Sequence, residues 1–235
     1  MQNATNLDIR KNGKPTRTLR CDALQQLFLR IEGKLTSIHP RGGVLFAEGQ
    51  AADGVYFLRS GRAKVSISSA EGKKIILRVE QAGALLGMTS VLEDVPHNVT
   101  VESLERCQVD FVSRSDFMKL LDGSEPAIAG LVYTLANELS DMVERVRSLL
   151  LSQSAAEKLG RLLIKWCDEQ GDGKNEEVRV NPGLTQEEIA QMICASRETV
   201  SRLFADLKRK AIVSTAENAI FVHDRNALEY RHGRE

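Results

Sequence analysis

The sequence predicts an α+β chain in three successive parts: an N-terminal β-roll of jelly-roll type, one long helix, and a C-terminal part with two short helices and a β-hairpin. Three observations predict it. Glycines separate many short runs of alternating apolar residues in the first half of the chain, as in a sandwich or barrel. The apolar spacing then changes to steps of four and three residues over a long stretch. Finally, two short helical patterns each carry their own start signal.

Composition limits the classes of protein that fit. The chain has 235 residues, enough for two modest domains with cores of their own. Its formal net charge is zero, so any contact with nucleic acid must be local. No apolar run approaches the roughly 18 residues that span a bilayer, and the polar N-terminus does not resemble a signal sequence. A cytoplasmic protein with no membrane partner is therefore expected.

Catalytic and metal-binding patterns are not found in the sequence. The four cysteines are scattered without CxxC spacing: Cys21, Cys107, Cys167 and Cys194. This number and spacing of cysteines predict neither a disulfide framework nor a metal finger. Most of the four cysteines are expected to be buried, inert thiols. No Ser-His-Asp set, phosphate loop or metal cluster appears either, so an enzyme is not predicted.

The first 122 residues divide into an arm and the β-roll. Residues 1–20 are polar and basic and are predicted to be a flexible arm. A helical pattern from Cys21 to about Glu32 opens the predicted roll domain, residues 21–122. Its predicted strands are separated by glycine turns and cover residues 44–46, 55–58, 63–67, 75–79, 99–101 and 107–111.

A long helix is predicted over residues 123–152. Its apolar residues follow alternating steps of four and three, which is a heptad seam: Ile128, Val132, Leu135, Leu139, Met142, Val146 and Leu149. Such a stripe must be buried. Packing against the chain's own roll would bury part of it, and a parallel coiled coil across a two-fold axis would bury the rest. The coiled coil is the favoured interpretation, with the six residues from Val132 onward in a homodimer interface.

The C-terminal part, residues 153–235, contains the helix-turn-helix pattern. A helix over 154–168, a flexible segment from Gly171 and a strand at 178–180 are predicted to precede it. Thr185 and Glu188 form a capping box for a first helix. Ser196 caps a second helix with a one-sided apolar stripe at Val200, Leu203, Phe204 and Leu207. Runs at 212–215 and 220–223 flank Ala216, Glu217 and Asn218 and predict a hairpin, and the tail from Asp224 is uninformative.

The opposite face of the second helix carries side chains suited to DNA. Arg197, Glu198, Ser201 and Arg202 lie within its first two turns, where a recognition helix meets base edges. An arginine can bind guanine O6 and N7, and a glutamate can accept from the cytosine amino group. Thr185, Ser196 and Thr199 are placed to bind phosphates, which fixes register. The alternative is an amphipathic surface helix with ordinary solvated charges.

These residues carry a resemblance to a known family. SRETVSR, with LTQEEIAQ ahead of it, resembles the winged-helix DNA-binding domain of the CRP/FNR superfamily of bacterial regulators. RGGVLFAEGQAADGVYFLRSGRAKV resembles the family's cyclic-nucleotide-binding β-roll. The resemblance implies a homodimeric transcription regulator with double-stranded DNA and RNA polymerase as partners. At the turn position where relatives commonly keep Gly, this chain has Cys194, which would cost roughly 1 kcal/mol if that residue has a positive φ.

The same resemblance predicts the DNA half-site in part. The family's base-contacting positions match Arg197, Glu198 and Arg202, and its phosphate-contacting positions match Ser196 and Thr199. Arg197 suits a half-site of the type TGTGA, whereas Glu198, Ser201 and Arg202 match the branch that prefers TTGAT. A GA-containing inverted repeat is therefore expected, with its outer bases left open.

The predicted effector pocket departs from the family. Gly83 and Gly87 are present, but Met88 stands where the family has a ribose-binding Glu, and His97-Asn98 replaces its phosphate-binding Arg-Ser pair. No Lys or Arg lies between residues 88 and 100. A buried phosphodiester without a cation costs several kcal/mol of desolvation. Tight binding of cyclic AMP or cyclic GMP is therefore not expected, no cofactor is predicted, and the effector stays unknown.

Two alternatives stay open at this stage. His97 could ligate haem or titrate near neutral pH, which would make the protein a regulator gated by haem, gas or redox state, although a lone loop histidine is usually solvated. From a different class, the chain could be a cyclic-nucleotide-binding signalling module, an interpretation that the missing pocket cation opposes.

Overall fold

Two four-stranded antiparallel sheets form most of the N-terminal half in the computed structural model, which describes residues 18–151, 154–170, 177–216 and 219–229. A first helix, α1 (Thr18–Arg30), precedes them. The strands in order are β1 (Leu35–His39), β2 (Val44–Phe46), β3 (Gly54–Ser60), β4 (Arg62–Ser68), β5 (Lys74–Gln81), β6 (Leu85–Leu86), β7 (Thr100–Ser103) and β8 (Cys107–Ser113). One sheet has the order β1-β8-β3-β6 and the other β2-β7-β4-β5. The eight strands are called the β-roll below.

The core of the β-roll lies between its two sheets. Alternation along each strand buries one face, as β4 shows with Ala63 and Val65 buried and Lys64 between them partly exposed. Across the sheet Val65 pairs with Val101 of β7, and Val101 also pairs with Phe46 of β2. Together with Leu58 and Val109 of the opposite sheet these side chains form one buried cluster. The predicted fold of this half is confirmed.

Helices close the roll and continue into the long helix. After β6 comes α2 (Met88–Glu93), and after β8 come α3 (Arg114–Asp122) and α4 (Glu125–Leu151). Ala127, Gly130 and Leu131 are the buried residues of α4. A Cβ on Gly130 would lie 2.8 Å from Cβ of Leu24, so the missing side chain allows α1 to pack closely against α4.

The C-terminal domain, α5 to α8, has a core of its own. Its elements are α5 (Ala155–Gln170), β9 (Val178–Val180), α6 (Gln186–Ile193), α7 (Arg197–Arg209), β10 (Val213–Ala216), β11 (Ala219–Val222) and α8 (Arg225–Glu229). The hairpin β10-β11 pairs with β9 to form a three-stranded sheet, the wing beside α6 and α7. Leu163, Trp166, Ile193 and Phe204 are among its buried core residues.

Some predicted boundaries need correction. Helix α1 begins at Thr18, so the end of the predicted arm (1–20) is helical, while residues 1–17 lie outside the described residues. Residues 171–176 of the predicted flexible segment and the hairpin residues Glu217 and Asn218 also lie outside them. Strands β1 and β6 and helices α2, α3 and α8 were not predicted. Within the described residues, no helix is both long and apolar enough to cross a membrane.

Candidate nucleic-acid interface and effector pocket

The start of α6 is fixed by the predicted capping box. The Thr185 hydroxyl accepts a hydrogen bond from the Glu188 amide at 3.2 Å, and the Glu188 carboxylate accepts one from the Thr185 amide at 2.8 Å. The Thr185 hydroxyl also donates to this carboxylate at 3.0 Å. Thr185 is exposed, but its hydroxyl hydrogen is already engaged. A phosphate contact from this hydroxyl would require the bond to Glu188 to break.

The turn between α6 and α7 has the strained residue that the sequence suggested. Cys194 has φ of 55° and ψ of 43°, and its amide donates to the Ala190 carbonyl as a left-handed helix cap. Glycine adopts this conformation without a steric penalty, whereas cysteine does not. The turn is nevertheless formed, and it brings Ser196 into position as the N-cap of α7.

Helix α7 divides into a buried face and an exposed face. Val200, Phe204 and Leu207 are buried in the C-terminal domain. On the other side, four predicted base-reading residues are all exposed: Arg197, Glu198, Ser201 and Arg202. Because the apolar face holds the helix against its core, the polar face is presented to solvent as a rigid surface. This is the arrangement that a major-groove recognition helix requires.

Hydrogen bonds between neighbouring residues order the first turn of α7. The Ser196 hydroxyl accepts from the Thr199 amide at 3.2 Å and lies 3.0 Å from the Thr199 hydroxyl. The pKa of the Glu198 carboxyl is lowered by hydrogen bonds from its own backbone N–H and from the Ser196 hydroxyl. Glu198 is therefore ionised at neutral pH and acts as a hydrogen-bond acceptor only. An acceptor can bind the amino group of cytosine.

The exposed stripe of α4 agrees with the predicted seam at its start and shifts at its end. Val132 is 59 % exposed, Leu139 67 % and Val146 46 %. Leu135, Met142 and Leu149, however, are half-buried, whereas Val143 and Leu150 are exposed at 49 % and 75 %. The seam that faces solvent beyond Leu139 therefore runs through Val143 and Leu150 rather than through Met142 and Leu149.

The region that corresponds to the family's nucleotide pocket is filled by side chains. Met88 and His97 are each 2 % exposed. The His97 ring stacks on Phe46 with a centroid distance of 3.9 Å. Gly87 is in the left-handed region, and a Cβ there would lie 3.0 Å from Cε1 of His97. The expectation that His97 is a solvated loop side chain is wrong, because a neighbouring aromatic ring and Gly87 cover it.

His97 does not supply the positive charge that the pocket lacks. Burial lowers its pKa, and the charge of Asp53 only partly opposes this effect, so the imidazole is neutral at pH 7. Its Nδ1 atom is buried and has no hydrogen-bond partner among the residues that the structure describes. The cation Arg114 donates to the Val91 carbonyl at 3.1 Å and lies 3.3 Å from Asp94. Its positive charge is thus paired with Asp94 at the C-terminal end of α2, whereas Gly87 lies at the N-terminal end.

The remaining predicted residues are placed as follows. Gly83 has a positive φ of 99° and its amide donates to the Leu58 carbonyl, so it serves a turn, and Asn98 is exposed. Cys107 and Cys167 are buried free thiols whose pKa is raised by burial. Among the described residues, no group of three His, Cys, Asp or Glu side chains could hold a metal ion.

The sequence did not reveal which charged residues join the two domains. Lys64 of β4 donates to Glu188 of α6 at 2.8 Å, and Arg145 of α4 donates to the carbonyls of Ile76 and Met192. Ile76 of β5 is fully buried against the core of the C-terminal domain. In the sequence these residues look like ordinary strand and helix positions. The one signal is at residues 75–77, where three consecutive apolar residues break the strand alternation and could have indicated a contact outside the roll.

Comparison with known families matches both halves of the chain. Residues 38–124 match the cyclic nucleotide-binding domain, and residues 157–231 match the Crp-like helix-turn-helix domain. The first match covers β2 to β8 and the second covers α6 and α7 with the wing.

Relatives and solved structures agree with both matches. The chain is 25 % identical to a CRP-like cAMP-activated global transcriptional regulator of Mycobacterium tuberculosis, over 82 % of this chain and 85 % of that protein. It is 26 % identical to an anaerobic regulatory protein of Bacillus subtilis, over 78 % of each. Its fold is similar to that of FixK2 from Bradyrhizobium japonicum, with a TM-score of 0.71, 19 % identity and 86 % and 98 % of the two chains covered. The c-di-GMP responsive regulator CLP of Xanthomonas campestris matches with a TM-score of 0.71, 15 % identity and coverage of 86 % and 99 %.

Proposed function

The chain belongs to the CRP/FNR superfamily of DNA-binding transcription regulators, which are not enzymes, and from this premise we propose that it acts as a homodimer that reads a GA-containing inverted repeat without a cyclic nucleotide. The observation that carries the proposal is the exposed face of α7. Arg197, Glu198, Ser201 and Arg202 stand free of the domain core on a helix whose other face is buried. They therefore form the proposed base-reading surface.

The half-site follows from the donors and acceptors on this surface. Arginine binds guanine through two hydrogen bonds, and an ionised glutamate accepts from the amino group of cytosine. In this proposal Arg197 and Arg202 can bind guanine and Glu198 can bind cytosine. These contacts suit a half-site that contains a G·C pair, such as TGTGA or TTGAT. Ser196 and Thr199 lie beside them at the N-terminus of α7, where backbone amides attract phosphate. In this proposal they set the register of the helix on the duplex, and Thr185 does so at the start of α6 once its hydroxyl turns from Glu188 to a phosphate.

The partner proposed for the stripe on α4 is a second copy of this chain. Val132, Leu139, Val143, Val146 and Leu150 leave about half or more of each side chain exposed along one face of the helix. A contiguous apolar surface of this kind marks an interaction site, and its steps of four and three residues suit another helix of the same sequence. Two copies related by a two-fold axis would place their recognition helices about 34 Å apart, in successive major grooves.

The side chains that fill the pocket support the proposal that the protein acts without cyclic AMP or cyclic GMP. Met88, His97 and Phe46 fill it, and His97 is neutral at pH 7. A cyclic phosphate would displace the stacked rings and would meet no buried cation from the described part of the β-roll. The names of relatives show that this fold serves different signals: the M. tuberculosis relative is cAMP-activated and the X. campestris regulator responds to c-di-GMP. The fold alone therefore does not predict an effector.

Selection of bound duplexes from a random pool tests the DNA proposal. Full-length protein is expected to enrich sequences in which GA and its complement TC are related by two-fold symmetry. Enrichment of a single unrepeated motif, or of no motif, would overturn the proposed mode of reading.

Calorimetry tests the effector proposal separately. Titration with cyclic AMP and with cyclic GMP is expected to give no saturable heat at concentrations up to about 1 mM, since each tenfold in affinity requires about 1.4 kcal/mol that the pocket does not supply. Binding in the micromolar range would show that the pocket opens and finds a cation.

A further inference from the structure

Helix α6 is fixed to the β-roll as well as to its own domain. Ile76 of β5 is fully buried in the cluster that contains Ile189 and Ile193 of α6. An apolar contact of this kind holds two surfaces together but does not fix their angle, because it has no direction. Charged side chains at the two ends of α6 supply the direction.

At the N-terminal end the link is a group of four charges. The Glu188 carboxylate is 2.8 Å from Nζ of Lys64 and 3.7 Å from the guanidinium of Arg41. Lys64 also lies 2.9 Å from the carboxylate of Glu102. Two cations thus balance two carboxylates, and the Lys64 side chain is only 13 % exposed. The pKa of Glu188 is lowered, since hydrogen bonds from Lys64 and Thr185 outweigh the opposing effect of burial.

At the C-terminal end the link is one guanidinium. Nη2 of Arg145 in α4 donates to the Ile76 carbonyl at 2.8 Å and to the Met192 carbonyl. Met192 lies in the last turn of α6, whose carbonyls have no partner within the helix and carry partial negative charge. Arg145 therefore joins the long helix, the β-roll and the first helix of the helix-turn-helix at one point.

These contacts connect the two domains and lie outside their apolar cores. Neither Lys64 nor Arg145 belongs to the apolar cores. Buried ion pairs are often no more stabilising than apolar residues of similar size, whereas they impose a defined geometry. Glu188 meanwhile caps α6 through Thr185 without any help from Lys64. Loss of Lys64 would leave α6 capped and folded but would remove the shorter of the two charge contacts that join Glu188 to the β-roll, since the contact with Arg41 is 3.7 Å long.

We propose that Lys64 and Arg145 are positioning residues for DNA recognition: they hold α6, and α7 with it, at a fixed orientation to the β-roll and to α4. This inference rests on the proposed homodimer, because in a dimer the orientation of each α7 to α4 sets the separation of the two recognition helices. The pair would then determine which half-site spacing is bound, while the residues on α7 determine which bases are read.

The test uses full-length protein and the inverted repeat that it selects. Affinity is measured for that repeat, for versions with one base pair added to or removed from the spacer, and for a single half-site. The variants are Lys64→Met and Arg145→Met. Their matched controls are Lys73→Met, an exposed lysine in the β4-β5 hairpin, and Arg147→Met, which is 55 % exposed and pairs with Glu144 on its own helix.

Wild type and both controls are expected to bind the altered spacings at least about tenfold more weakly than the selected one, since one base pair rotates a half-site out of phase. Lys64→Met and Arg145→Met are expected to reduce this difference to less than about threefold while the base preference within a half-site is unchanged. Variants that keep the full spacing preference of the wild type would overturn the inference.

Two further results of this experiment have their own interpretations. If the wild type itself binds all spacings equally, the proposed homodimeric reading fails and this inference fails with it. If either methionine variant does not fold, Lys64→Gln and Arg145→Gln replace them, because glutamine is polar but carries no charge. Lys64→Arg keeps the charge and is expected to restore the spacing preference, and its failure to do so would contradict a role for the ion pair.

Discussion

The β-roll and the C-terminal domain differ in where the side chains at their expected binding positions point. In the C-terminal domain, Arg197, Glu198 and Arg202 are exposed on a helix held by its buried apolar face. In the β-roll, Met88 and His97 turn inward at the positions where the family binds a nucleotide. The comparison shows that glycine turns and apolar alternation preserve a fold, whereas ligand chemistry depends on very few side chains. On the function proposed above, this domain keeps its fold without binding a cyclic nucleotide.

Helix α4 lies between the two regions, and a charge on its stripe is expected to produce the largest effect. Leu139→Asp would place a carboxylate in the proposed dimer interface, where burial of an unpaired charge is strongly unfavourable. Monomers are expected in sedimentation, with affinity for the inverted repeat lower by about a hundredfold or more because bivalent binding is lost. Leu29→Asp, the same change at a leucine of α1 that is 38 % exposed, should stay dimeric. An intact Leu139→Asp dimer would contradict the role of the stripe.

A change on the reading face is expected to have an intermediate effect confined to the C-terminal domain. Arg202→Ala should relax discrimination by roughly 1 to 3 kcal/mol at one base step, because a bidentate contact to guanine is removed. Competition binding with single-base variants of the selected site measures this. Arg209→Ala is the control, since Arg209 is 77 % exposed in the last turn of α7 and pairs with Asp206, and it should leave base preference unchanged. Equal discrimination in Arg202→Ala and wild type would remove Arg202 from the base-reading set.

The smallest expected effect belongs to the β-roll and concerns pH. Because burial lowers the pKa of His97, the unfolded chain takes up this proton at higher pH than the folded chain does. The contribution of His97 to stability is complete above the usual histidine pKa of about 6.5. It is lost as the pH falls from there toward the lowered pKa of the folded state.

Urea unfolding of His97→Gln at about pH 8 and about pH 5.5 checks this expectation. The variant should lose less stability between the two values than the wild type, with no change in the selected DNA site. A pH dependence unchanged by His97→Gln would show that this imidazole is not held neutral by burial.

The sequence predicted the local structure of the helix-turn-helix more fully than it predicted the contacts between domains. The caps at Thr185 and Ser196 and the turn at Cys194 are short-range features with distinct residue signatures, and all three are confirmed. Strand β1, in contrast, has four exposed residues out of five and so lacks the alternation that identifies a half-buried strand. Strand β6 has only two residues, too few for any pattern.

Long-range contacts of polar residues could not be predicted. Lys64 and Arg145 look like surface charges in the sequence, because their partners lie 124 and 69 or 47 residues away along the chain. His97 looked solvated for the same reason, since His97 lies in the loop between α2 and β7 and Phe46, which covers it, lies on the distant strand β2. The shift of the exposed stripe to Val143 and Leu150 depends on how α4 packs against the rest of its own chain, which a heptad pattern does not record.

The most direct test of two recognition helices reading one duplex is hydroxyl-radical footprinting of wild-type protein on its selected site. Two protected patches on one face of the DNA, centred about 34 Å apart and related by two-fold symmetry, are predicted. A single protected patch at saturating protein would contradict the account, because it would mean that one α7 at a time contacts the DNA.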